Sequence, residues 1–249
     1  MGDPEGAEWC CRGTGESVLG YYRESQGTFD RALSRDPGLH RARLGKAASY
    51  ARMGFFGKAL ECCQEVIAAE PLHTDAWFLR GLVLYQMGRY DEAIPCLDQV
   101  VAGRDGHLEA WYALGNCFYY QGEYDEAIRC YDHIIGLETE YPKAWYNKGV
   151  ALADIRRYEE ALACYRECDR LNPGVGVVFT NTGVALAGLG RFEEAVASFD
   201  RAITLNPRDI TPWNNKAAAL RRLGRDREAE ACVEKVKELA VGRHIPWLF

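Results

Sequence analysis

Four acidic pairs, Asp91-Glu92, Asp125-Glu126, Glu159-Glu160 and Glu193-Glu194, are the first candidates for acid–base chemistry in this sequence. Adjacent residues on a helix point in different directions, so neither pair member can serve the other as acid and base on one bond. The five histidines are scattered; His73 and His107 recur at one phase, and the sequence implies no Ser or Cys partner for either. Of ten cysteines, Cys62, Cys96, Cys130, Cys164 and Cys232 recur at one phase, Cys10-Cys11 and Cys62-Cys63 are adjacent, and Cys164 and Cys168 lie within one helix. None has a companion at zinc-site spacing. Copies of one helix position sit roughly 10 Å apart at ordinary helix packing distances, too far for a disulfide. Reduced, partly buried thiols in a reducing cytosol follow. Gly13-Thr14-Gly15 lacks the Lys-Ser/Thr and the preceding strand of a phosphate loop. These residues predict no enzyme, no catalytic group, no metal and no cofactor.

The elements that carry them repeat. Trp77 is followed at intervals of 34 residues by Trp111, Trp145, Phe179 and Trp213, Gly81 by Gly115, Gly149, Gly183 and Ala217, and Ala93 by Ala127, Ala161, Ala195 and Ala229. We number the repeat from place 1 at Thr74, so Trp77 holds place 4, Gly81 place 8 and Gly88 place 15. Large residues at places 4, 7, 11 and 24 fall on one helical stripe. Small residues at 8 and 20 let two helices approach closely, so each unit is a helical hairpin. Gly88, Gly122, Gly190 and Gly224 suit a left-handed cap for the first helix, with Arg156 in that place in one copy. The acidic pairs then fall in the first turn of the second helix, where its dipole favours them. Pro71, Pro173 and Pro207 at place 32 stop it. Pro95, at place 22, is expected among the first four unpaired donors. A fixed period of this length marks a solenoid whose units bury their faces on one another.

The W-x-x-L-G, G-x-Y-x-E-A and closing proline at these offsets resemble the tetratricopeptide repeat family, most completely at Trp111, Leu114, Gly115, Phe118, Gly122, Tyr124, Ala127 and Tyr131. The resemblance implies an all-α, right-handed superhelical solenoid of antiparallel helix pairs, without catalysis, whose first helices line a concave groove for protein or peptide segments. Carried onto this sequence, the groove places hold Phe78, Tyr112, Tyr146 and Asn214 at place 5, Asn147, Asn181 and Asn215 at place 6, Asn116 at place 9, Tyr119 at place 12 and Lys143 at place 2. The place 6 column looks like the asparagine ladder of the O-linked N-acetylglucosamine transferase superhelix. An amide offers donor and acceptor together and suits any peptide unit. The carboxylate clamp of the family's chaperone adaptors is not met, since Tyr112, Val177 and Asn181 stand where it needs Lys, Lys and Arg.

In order, the chain predicts an irregular lead-in over 1–16 and an array over 17–243. The array is a partial repeat to 39, then 40–73, 74–107, 108–141, 142–175, 176–209 and 210–243. An apolar tail follows at 244–249, and Trp247, Leu248 and Phe249 offer a second, self-associating mode. A net charge of -6 argues against nucleic acid as partner. The start has neither basic residues nor an apolar run, and no 18 uncharged apolar residues stand in a row, which points to a soluble cytoplasmic protein outside the membrane. The expected function is a protein–protein interaction scaffold that binds a partner segment in the groove.

Overall fold

The computed structural model describes residues 4–241. The apolar tail with Trp247, Leu248 and Phe249, and the self-association expected of it, lie outside the described residues. Compactness divides the chain into two units, between Glu123 and Tyr124. The first holds α1 (Pro4–Val18), α2 (Tyr22–Arg35), α3 (His40–Arg52), α4 (Phe56–Ala69), α5 (Thr74–Gln86), α6 (Tyr90–Gly103) and α7 (Leu108–Gln121). The second holds α8 (Tyr124–Leu137), α9 (Pro142–Asp154), α10 (Tyr158–Leu171), α11 (Gly176–Gly188), α12 (Phe192–Leu205), α13 (Ile210–Arg222) and α14 (Asp226–Val241). The described residues contain no strand.

Helices α3, α5, α7, α9, α11 and α13 begin at intervals of 34 residues. Within each unit every helix packs on the next, and first helices of successive pairs also meet: α1 on α3, α3 on α5 and α5 on α7, then α9 on α11 and α11 on α13. This is the contact pattern of a solenoid of antiparallel helix pairs, each covering the apolar stripe of its neighbour.

The turns explain the period. Gly54, Gly88, Gly122, Gly190 and Gly224 take φ between 73° and 83°, and the next N–H returns to the helix, as from Arg89 to the Leu84 carbonyl at 3.0 Å. Arg156 adopts the same conformation at φ 62°, the one positive-φ residue other than glycine among those described. Between pairs, the place 4 indole reaches back six residues to a turn carbonyl: Trp77 donates to Pro71, Trp111 to Asp105, Trp145 to Thr139 and Trp213 to Pro207, at 2.8 to 3.3 Å. Inside a pair, the place 8 glycine lets the place 24 side chain through. A Cβ on Gly183 would lie 2.4 Å from the Phe199 ring, and one on Gly149 2.6 Å from the Tyr165 ring.

Two sequence expectations are corrected. The lead-in is helical, since α1 starts at Pro4. Its glycines are contact residues: Gly13 is buried where a Cβ would stand 2.8 Å from Phe29, and Gly6 is buried against Ala32 and Arg35 of α2. Cys10 joins the same core with Phe29, Ala32 and Ala42. Pro95 is the sixth residue of α6, beyond the four unpaired donors. It removes a ladder bond to Asp91, and the helix continues through it because Ala93, Leu97 and Val100 are fully buried on its inner face.

Candidate functional site

The acidic pairs separate once the second helices form. Arg89, Arg157, Arg191 and Arg225 at place 16 each fork onto the Glu at place 19, Glu92, Glu160, Glu194 and Glu228, through two bonds of 2.6 to 2.7 Å. These hydrogen bonds hold the four carboxyls below their ordinary range. One member of three of the four pairs, Glu92, Glu160 and Glu194, is thus fixed as an anion at the helix start. The histidines at place 34 are caps, for the Nδ1 atoms of His73 and His107 accept from the backbone N–H of Ala76 and Ala110 at 3.4 and 3.3 Å. All ten cysteines are free thiols. Burial pushes Cys63 and Cys117 up to about 12 and Cys164 to about 11, which suppresses the reactive thiolate. Among the described residues no group of three or more His, Cys, Asp or Glu is placed to hold a metal.

The first helices carry the other chemistry. In the first unit Phe78 is half-buried with its ring 4.5 Å from that of His107. Tyr112 and Asn116 are half-buried on α7. Tyr119, also half-buried, meets Tyr120 edge-on at 5.5 Å. Tyr120 in turn stacks on Tyr90 at 5.2 Å and 10°, and Tyr85 packs against both, at 5.8 Å from Tyr90 and 6.1 Å from Tyr120. Burial is the main cause, with Tyr120 beside it, of a strongly raised pKa at Tyr85, so its hydroxyl stays protonated. Only Tyr119 of this cluster stands out from the groove column alone. Tyr90 and Tyr120 sit at places 17 and 13 of successive repeats, and that pairing is visible once adjacent repeats are written one above the other.

In the second unit Lys143 and Asn214 are exposed, whereas Tyr146, Asn147, Asn181 and Asn215 are half-buried. The structure joins two of the predicted columns directly. Asn181 Nδ2 donates to Tyr146 Oη at 2.9 Å, from place 6 of one repeat to place 5 of the one before, and the Tyr146 ring lies 6.2 Å from Tyr165. Asn215 lines an open hollow of about 520 Å³ with Val184, Ala187, Ala218 and Arg222; Asn214 is not part of its wall. The hollow exists because Ala187 and Ala218 leave space between α11 and α13. Sequence reasoning sought aromatic and amide side chains and passed over these alanines, whose signal is the small residue at places 12 and 9.

The chain also compares with known proteins. Models of the tetratricopeptide repeat match residues 44–103, 80–137 and 112–175, and further ones match 178–209 and 210–240. No curated protein matches the chain. Among solved structures, MamA from Desulfovibrio magneticus RS-1 is similar with a TM-score of 0.66 and 21% identity, over 69% of this chain and 97% of that one. A crystal structure of MamA protein gives 0.64 at 24% identity, over 68% and 92%, and MamA MSR-1 gives 0.60 at 26%, over 68% and 97%. These likenesses bear on the fold. With one repeat model spanning 44–175, more than half of the 249 residues, and helix pairs that recur every 34, the chain belongs to the tetratricopeptide repeat family.

Proposed function

We propose that this protein is a non-catalytic interaction scaffold that holds an extended segment of a partner protein along its first helices, backbone against amide. The observation that carries this reading is the Asn181–Tyr146 hydrogen bond. It takes one N–H of the amide and sets the side-chain plane, leaving the carbonyl oxygen and the second N–H outside that bond. A peptide unit needs that complementary pair of groups, whatever its side chain. Asn147 and Asn215 repeat the place on either side. Beside them the hollow at Val184, Ala187 and Ala218 accepts an apolar side chain, with the Arg222 guanidinium, 4.9 Å over the Phe192 ring, at its rim.

The test is selection from a displayed random-peptide library, followed by titration of the enriched peptides. Replacing Asn147, Asn181 and Asn215 with Ala should weaken those peptides by at least about tenfold, on the order of one net hydrogen bond lost, while circular dichroism stays unchanged. Equal affinity in the triple variant would remove the amides from the binding surface.

A further inference from the structure

One edge of the first unit departs from the repeat in a way the groove does not use. In four later pairs place 16 carries the arginine that forks onto the place 19 glutamate. In the first two pairs place 16 is Tyr21 and Phe55, and in the second pair place 19 is Lys58. The two turns are therefore apolar at their tips: Val18 is 82% exposed, Leu19 73%, Tyr21 56% and Phe55 53%. A buried hydroxyl cluster ties the turns side by side, with Ser17 Oγ 3.1 Å and Ser25 Oγ 2.9 Å from Ser49 Oγ. Around the tips stand Arg23, Arg52 and Lys58, all exposed. Lys58 Nζ rests 5.4 Å over the Tyr50 ring and 5.7 Å over Phe55. None of the three has a carboxylate partner among the described residues.

We propose that this edge is a membrane-surface contact whose ligand is an anionic lipid bilayer. The apolar groups protrude at turn tips, so they can enter the headgroup boundary with the fold intact. The turn backbone is already satisfied, Tyr21 N–H by the Glu16 carbonyl and Phe55 N–H by that of Tyr50, both at 2.9 Å, as an interfacial site requires. Tyr21 and Phe55 put aromatic rings where amphipathic rings favour the boundary. The unpaired cations beside them add attraction for anionic headgroups, and apolar insertion with basic flanks makes the two signals that stable surface binding needs. The contact lies on the surface, since no described helix is long and apolar enough to cross a membrane. A protruding edge also suits a yielding bilayer better than a peptide, which takes a hollow.

The test is sedimentation of the full chain with vesicles of phosphatidylcholine alone and of phosphatidylcholine mixed with phosphatidylserine. The wild type should bind the anionic vesicles, more weakly at high salt, and the neutral ones poorly. Leu19→Asp with Phe55→Asp should lower anionic binding by about tenfold or more. Arg52→Glu with Lys58→Glu should erase the preference for phosphatidylserine, and Asn181→Ala should bind vesicles as the wild type does. All these positions except Asn181 are exposed, so thermal melts should match. No binding to anionic vesicles above neutral ones, or equal binding by the Asp variant, overturns the proposal, including the case in which the edge holds a protein instead.

Discussion

At the scale of the residue, Arg156 is the side chain most at odds with its backbone. It occupies the left-handed cap at φ 62° where six other turns use glycine, a conformation that costs an L-residue about 1 kcal/mol or more. Arg156→Gly should therefore stabilise the protein by about 0.5–1 kcal/mol once the entropy of glycine in the unfolded chain is deducted, read as a higher urea midpoint with an unchanged slope. Trp145 makes the opposite case. Its indole N–H bonds the Thr139 carbonyl at 2.9 Å, so Trp145→Phe should cost about 1 kcal/mol. One repeat shows the natural version: Phe179 has no N–H to give, and Arg201 covers its ring at 4.1 Å beside a hollow of about 330 Å³. An unchanged melting midpoint in Trp145→Phe would show that the turn does not depend on the indole.

At the scale of the element, the hairpin depends on matched pairs of one small and one large residue. Gly183 faces Phe199, and Gly81 faces Leu97, with no room for a methyl group at either glycine. Gly183→Ala should destabilise by about 1–3 kcal/mol through overpacking, despite the better helix propensity of alanine. Adding Phe199→Leu should return part of that loss, and a double variant as unstable as the sum of the two singles would show that the residues do not share this contact. The arginine–glutamate forks at the second-helix starts are exposed on both sides. Their contribution to stability is accordingly small, and their regular recurrence marks helix starts rather than a source of stability.

At the scale of the whole molecule, both units bury reduced thiols in the same way, and this sets an alkaline limit. Cys63 and Cys117 in the first unit, at about 12, and Cys164 in the second, at about 11, stay protonated in the fold above the ordinary thiol value of 9.0. Between those values the unfolded chain has released protons that the folded chain retains, so stability is full below pH 9.0 and falls as pH rises toward 11 and 12. Melting temperatures across that range should decline, and Cys63→Ala should flatten the decline; a slope identical to wild type would place its origin in other groups.

The period, the helical pairing, the left-handed glycine turns and the helix-stopping prolines were legible in the residues alone, because each depends on local conformational preference repeated in phase. The helices that carry the expected columns were legible too, since spacing decides which residues share a helix. What those side chains touch was not. The bond from Asn181 to Tyr146, the hollow beside Ala187 and Ala218, and the apolar tips at Leu19 and Phe55 depend on which residues of separate pairs come together. Gly6 and Gly13 show the difference most plainly. Their sequence reads as a broken helix because glycine lowers helix propensity, yet contact with Arg35 and Phe29 of α2 keeps the helix whole. Local chemistry determined which elements form, and packing between them decided which side chains of successive repeats touch.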